Sequence, residues 1–169
     1  MIRYSDFDSV EEYVAAARTF ADYDVGETYG TSGRTVTDAD IRLFNGATDG
    51  SHPNHVDREY AAGHPLVDDV VAQGVLTLGI LDGFVVDEIS AEAAFPLNYG
   101  YDRVRFLEPV YVGDTVTATI EIADTERTDE TWGVLDLDVT VHNQDGDVVL
   151  AARNKILVVT EDATAADLG

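Results

Sequence analysis

Val70-Val71-Ala72-Gln73-Gly74-Val75-Leu76-Thr77-Leu78-Gly79-Ile80-Leu81-Asp82-Gly83-Phe84-Val85-Val86-Asp87-Glu88-Ile89 is the most apolar run in the chain. Val71, Val75, Leu78, Leu81 or Asp82, and Val85 recur at helical spacing, while Ile80, Phe84 and Ile89 add apolar surface on other sides. A helix apolar nearly all round is one enclosed by other structure. Gly74, Gly79 and Gly83 each cost helix propensity, about 1 kcal/mol relative to alanine, so they read as points of close backbone approach. Beyond Pro96 the period changes to two. Val116, Ala118, Ile120 and Ile122 alternate with Thr115, Thr117, Thr119 and Glu121, and Leu135, Leu137, Val139 and Val141 alternate with Asp136, Asp138, Thr140 and His142. Asn143-Gln144-Asp145-Gly146 reads as a hairpin turn, and Tyr101 to Phe106 and Val148 to Val159 as further strands. One-sided strands of this kind form an antiparallel sheet with one face on a core and one in water. The fold class is therefore α+β, an antiparallel sheet wrapped around a long central helix.

Upstream of the apolar run, Ser9-Val10-Glu11-Glu12 is a capping box that opens an amphipathic helix carrying Val10, Tyr13, Val14, Ala17 and Phe20 on one face. Thr28 to Val36 reads as a short strand. Thr37-Asp38-Ala39-Asp40 opens a second helix with Ile41, Phe44 and Ala47 as its buried stripe. A loop from Asp49 to Pro53 and a helical turn from Asp57 to Ala62 lead to the central helix. There is no internal repeat. Residues 1–169 read as one domain with a helical extension at 1–22 and a flexible acidic tail at 161–169.

The chain has 169 residues, with 10 Lys plus Arg against 33 Asp plus Glu, a net charge of −23, and no cysteine. Disulfides, thiolate nucleophiles and cysteine-bound metals are excluded. So few cations cannot neutralise a stretch of phosphates, which speaks against a nucleic-acid partner and against an anionic membrane surface. Self-repulsion of this size is tolerable in concentrated salt, where the Debye length is ~3 Å at 1 M. Lys155 is the only lysine and Asp is abundant, which reads as the surface of a halophilic protein. The N-terminus has no basic and apolar sections of a signal peptide, and the reading is cytoplasmic.

The four histidines are His52, His55, His64 and His142. His142 falls on the polar face of a strand and reads as solvated. His52-x-x-His55-x-Asp57 is a weak metal pattern, because Pro53 keeps the two rings off one helix face and no third strong ligand is close; no metal is expected. An Asp and a His flanking a Pro-containing turn can instead hold one water and shuttle its protons.

From Tyr23 to Val159, the chain resembles the MaoC-like dehydratases, which include (R)-specific enoyl-CoA hydratases and share the hot-dog fold. The resemblance runs in order through Asp24-Val25-Gly26-Glu27-Thr28, Gly33-Arg34-Thr35-Val36-Thr37-Asp38-Ala39-Asp40, Pro53-Asn54-His55-Val56-Asp57, Val70 to Leu78, and Arg105-Phe106-Leu107-Glu108-Pro109-Val110-Tyr111-Val112-Gly113-Asp114-Thr115. The family motif, D-x-N-P-x-H, sets its Asp five residues before its His. Here that position is Gly50, Asp49 lies one residue earlier, and His52 stands in place of the motif's Asn. The resemblance implies that Asp49 and His55 hold a water that adds to a trans-2-enoyl thioester, with Gly50 free to let the loop bring the Asp49 carboxylate in; if Asp49 is displaced, Ser51, His52 or Asn45 serves in its place. It further implies that the Gly74 backbone N–H, at the start of the central helix, stabilises the thioester oxygen. His52, Asn54, Gln73 and Arg105 are then candidate substrate contacts. Arg103, Arg105 and Lys155 are scarce cations that either meet coenzyme A phosphates or form structural ion pairs. The implied partners are an acyl-CoA and a second copy of the chain in a homodimer, with no cofactor beyond the coenzyme A of the substrate. Two rival functions are a hot-dog acyl-CoA thioesterase and a non-catalytic acyl-thioester binder.

Overall fold

The computed structural model describes residues 3–168 of the chain. Helices α1 (Val10–Ala16), α2 (Asp38–Thr48), α3 (Arg58–Ala62), α4 (Gly74–Val85) and α5 (Ala165–Leu168) accompany strands β1 (Thr28–Gly30), β2 (Arg34–Thr35), β3 (Leu97–Phe106), β4 (Thr115–Arg127), β5 (Trp132–His142) and β6 (Val148–Val159). The main sheet runs β1-β4-β5-β6-β3, every pairing is antiparallel, and β2 adds a short rung to β4. This is the hot-dog arrangement, with α4 as the helix that the sheet holds.

The period-two reading carries directly into packing. Val116, Ala118, Ile120 and Ile122 on β4, and Leu135, Leu137, Val139 and Val141 on β5, are all buried. They meet Ile80, Leu81, Phe84, Val85 and Ile89 from α4 and the π-helical turn Val86–Ser90 that extends it. Each such side chain contributes ~1.5–3 kcal/mol when taken from water, so Leu137→Ala alone would cost about 2–5 kcal/mol once its cavity is counted. The β5–β6 hairpin turns at Asn143 to Asp147: Gly146 takes φ 87°, and Asn143 Oδ1 accepts the N–H groups of Asp145 and Asp147 at 3.0 and 2.9 Å.

Several boundaries differ from the sequence reading. The 28–36 stretch splits into β1 and β2, and β3 starts at Leu97 rather than Tyr101. Helix α1 ends at Ala16, and its Ser9 cap accepts from Glu12 N, while the Glu12 carboxylate accepts from Asp8 N instead of closing the box on Ser9. Helix α2 buries Ile41 and Asn45, whereas Ala47 is exposed. The largest correction concerns the central helix. It begins at Gly74, so Val71 lies in the extended lead before it, and Val75 is 60% exposed rather than buried. Gly79, Gly83 and Val86 share that exposed flank with Val75. The glycines at 79 and 83 meet nothing within 4 Å of a notional Cβ. The all-round apolar character of the helix therefore exceeds what this one chain covers.

The ends of the chain pack together. Tyr13, Val14, Ala17, Ala94 and Val159 form a second buried cluster, flanked by Phe7, Trp132, Ala163 and Leu168. Arg127 pairs with Glu161 and, at 3.0 Å, with Asp162. Residues 161–168 thus touch the body through these contacts; residues 1, 2 and 169 of the two terminal segments lie outside the described residues. Among the described residues, no helix is long and apolar enough to cross a membrane.

Candidate functional site

Helix α2 and the lead into α4 position the candidate residues. Thr48 Oγ1 donates back to Phe44 O at 2.7 Å, and Asp49 caps the helix with left-handed backbone, φ 55° and ψ 19°. Glycine is the usual residue in that conformation, and aspartate tolerates it better than most. Gly50, which follows, is not in the left-handed region. Asp49 is exposed, and its carboxylate makes no hydrogen bond among the described residues.

Pro53–His55 forms a 3-10 turn, for which proline at the first position is preorganised. The turn is stapled to the lead of α4 where Val71 N donates to Asn54 O at 3.1 Å; the lead is held on its other side by Ala72 N, which donates to Val110 O at 2.7 Å. His55 is half-buried, and its Nδ1 lies 2.7 Å from Val71 O. A carbonyl only accepts, so Nδ1 carries the proton and donates. In the neutral ring, Nε2 is then an unprotonated acceptor, the state a general base requires.

Gln73 occupies the N-cap position of α4, yet its side chain does not cap the helix. It turns away, is only 7% exposed, and donates from Nε2 to Asn45 Oδ1, also 7% exposed, on α2. Asn45 Nδ2 and Gln73 Oε1 have no partner among the described residues. A buried polar atom left unpaired costs ~1–3 kcal/mol. The Gly74 N–H, first in the helix, also has no partner there, and free first-turn N–H groups favour developing negative charge. A Cβ at Gly74 would lie 2.9 Å from the Phe106 ring, so only glycine lets β3 close over the helix start. Beside it opens a cavity of ≈ 370 Å³ lined by residues that include Val71, Gly74, Thr77, Phe106, Pro109 and Val149. Asp49, His55 and Gln73 do not line it.

The other candidates separate. His52 is exposed; its ring sits against the Asn54 side-chain oxygen and edge-on to Tyr60 at 5.7 Å, with His55 at 6.4 Å. Asn54 thus contributes its backbone carbonyl to the staple and its side chain to His52. Lys155 pairs with Asp136 at 2.7 Å. Arg105 is exposed, and among the described residues its guanidinium donates only to its neighbour's carbonyl, Val104 O at 2.7 Å. Arg3, Arg103 and Arg105 lack a carboxylate partner among the described residues, in a chain whose other seven cations are paired. The Asn45–Gln73 pairing escaped the sequence reading, though an Asn one helical turn after Ile41, on the buried face, is the signal that could have found it.

The antiparallel sheet around a central helix places the chain among the hot-dog domains. The chain belongs to the MaoC-like domain family, whose profile matches residues 21–143. It is 30% identical to nodulation protein N of Rhizobium leguminosarum over 72% of this chain and 77% of that protein. It is also 30% identical to the (R)-specific enoyl-CoA hydratase of Rhodospirillum rubrum, over 48% of this chain and 54% of the hydratase. The chain spans only about half the length of that hydratase and 53% of the Rhizobium meliloti nodulation protein N. Among solved structures, the monoamine oxidase regulatory protein from Archaeoglobus superposes with a TM-score of 0.78 at 33% identity, covering 85% of this chain and 95% of that one.

Proposed function

We propose that the protein is a hydro-lyase that adds water to a trans-2-enoyl-CoA to give the (R)-3-hydroxyacyl-CoA, or runs the reverse dehydration. The observation that carries this reading is the Val71 carbonyl, which fixes the His55 tautomer and leaves Nε2 free, on the same segment that ends three residues later at the uncapped Gly74 N–H. A base and an oxyanion donor are thereby fixed to one rigid lead. As water oxygen bonds to the β-carbon, one of its protons passes to His55 Nε2. The π electrons of the C=C bond move toward the thioester oxygen, which the Gly74 N–H stabilises; a preorganised donor of this kind is worth about 3–4 kcal/mol. The imidazolium then returns the proton to the α-carbon. The family resemblance assigns Asp49 to this water, but its exposed, unpaired carboxylate leaves His55 as the supported proton carrier. Arg105, with Arg103, supplies uncommitted positive charge on the β3 edge for the coenzyme A phosphates. The exposed Val75–Gly79–Gly83–Val86 flank and the free edge of β3 support a homodimer.

The hydrolase rival needs a carboxylate near the central helix: Glu108 lines the cavity beside Gly74, and Asp82, two turns along α4, accepts from Tyr101 at 2.6 Å and Asn98 at 2.5 Å, so the two readings are separated by assay. Crotonyl-CoA hydration, followed by loss of the conjugated-enoyl absorbance beside a free-thiol assay, tests the reading. Hydration lost by at least 10²-fold in His55→Ala is the expected result. Thiol release without hydration, or binding without turnover, would replace it.

A further inference from the structure

Asp82 on α4 is half-buried, and one of its oxygens is engaged twice: Oδ1 accepts from the Tyr101 hydroxyl at 2.6 Å and from Asn98 Nδ2 at 2.5 Å. Oδ2 accepts nothing among the described residues, and no described Lys, Arg or His pairs with the carboxylate. A carboxylate only accepts, so Asn98 turns its Nδ2 to Asp82 and its Oδ1 to Asn154, accepting from Asn154 Nδ2 at 3.2 Å. Asn154 is fully buried; it also donates to Gly100 O at 3.0 Å, and its own Oδ1 is left without a partner among the described residues. Three side chains in series are thus oriented toward one acid whose second oxygen remains free. Burial first, then the bond to Asp82, raises the Tyr101 phenol above its usual value, so that hydroxyl stays a donor at neutral pH.

Asp82 and Asn98 both line a cavity of ≈ 320 Å³. Asp82, Val86 and Ser90 recur at every fourth residue along α4 and its π-helical extension, and give the cavity one wall, roughly 12 Å long at helical rise. Tyr13, Pro96 and Ile156 supply apolar lining. The Tyr13 hydroxyl is taken up by Ala93 O at 3.3 Å and Phe95 N at 3.4 Å, so its ring is what the cavity meets. None of these residues borders the cavity beside Gly74. A lone carboxylate without a counter-ion, at one end of an apolar slot, selects positive charge and N–H donors on a hydrocarbon stem. We propose that this slot binds a primary alkylammonium, with its charged head on Asp82 Oδ2 and its chain lying along Val86 toward Ser90. A neutral hydroxyl leaves the charge uncompensated, and a quaternary ammonium has no N–H to give. The site does not rest on the hydratase reading.

The test titrates the full chain with hexylammonium chloride by calorimetry, beside 1-hexanol and tetramethylammonium chloride. Hexylammonium is expected to saturate one site and to bind at least about tenfold more tightly than either, as one charge-assisted hydrogen bond allows. Asp82→Asn keeps the side-chain volume and changes a net charge of −23 by a single unit, so the general attraction of cations to an acidic surface is barely altered. In that variant the preference for hexylammonium over hexanol is expected to fall to about threefold or less. Ala91→Leu, which narrows the slot and leaves the carboxylate in place, should weaken hexylammonium at least about tenfold, and it decides the matter if Asp82→Asn does not fold. Absence of saturable binding to wild type, a preference retained in folded Asp82→Asn, or wild-type affinity in Ala91→Leu overturns the inference. Crotonyl-CoA hydration by a protein that does not bind hexylammonium overturns this inference alone; ammonium binding that depends on Asp82 in a protein that does not hydrate supports the site and removes only the hydratase reading.

Discussion

Exchanging Asp49 and Gly50, as Asp49→Gly with Gly50→Asp, tests whether the motif's inverted order strains the end of α2. The unfolded chain keeps one glycine and one aspartate at adjacent positions, so conformational entropy and net charge largely cancel, and what changes is the folded state. Left-handed backbone costs an L-residue ~1–2 kcal/mol, with aspartate toward the lower end, and glycine at 49 removes that cost. Against it stands the new Cβ at position 50, 3.1 Å from Thr48 Oγ1. That hydroxyl is at the surface and can yield by a few tenths of an ångström at the expense of its bond to Phe44 O. The new carboxylate would also approach Asn45, whose Nδ2 lacks a partner. The net expectation is about +1 kcal/mol, or a rise of ~2–4 °C in Tm for a chain of this size, read by thermal denaturation with Gly50→Asp alone as the comparison. Gly50→Asp alone keeps the left-handed aspartate and should gain less. A double variant that melts at or below wild type would refute the strain argument.

Other consequences can be checked separately. Asp40 accepts from Thr37 Oγ1 and N and pairs with Arg34, contacts that hold its carboxyl below the usual carboxylate value, the Thr37 hydroxyl foremost. A depressed folded pKa stabilises at pH above the unfolded value, and the effect is lost as pH falls through the folded one. Asp40→Ala should therefore cost about 1 kcal/mol near pH 7 and progressively less in melts taken from pH 5 downward; a constant difference would count against the assignment. Gly74→Ala should destabilise by ~1–3 kcal/mol through contact with the Phe106 ring, and Phe106→Ala in that background should recover most of it in denaturant titrations. With a net charge of −23, Tm should climb between about 0.1 and 1 M KCl, as the Debye length falls from ~10 to ~3 Å; a flat or falling Tm would remove the halophilic reading.

The fold was legible where one face of an element decides its environment. On β4 and β5 the alternation of Val116 to Ile122 and Leu135 to Val141 maps onto burial residue by residue, because a strand has only two faces. On α4 the same logic misplaces Val75, since an apolar residue on a helix does not reveal whether its cover comes from this chain or another. The His55 turn could be read from Pro53-Asn54-His55, where proline fixes the local backbone. Its tautomer could not, because the Val71 carbonyl that sets it is 16 residues away. The amide pair was hidden for the same reason, its partners being 28 residues apart.

Strand β3 lies at the rim of the sheet, and its pairing with β6 slips twice, between Asn98 and Gly100 and between Asp102 and Arg105, with Arg103 in left-handed backbone at φ 54°. Each slip swings the outer row of amides and carbonyls out of line. A rim broken in this way, carrying two guanidinium groups, resists the indefinite lateral stacking that builds fibrils from flat, uncharged borders. It leaves room only for short, defined contact with a neighbour.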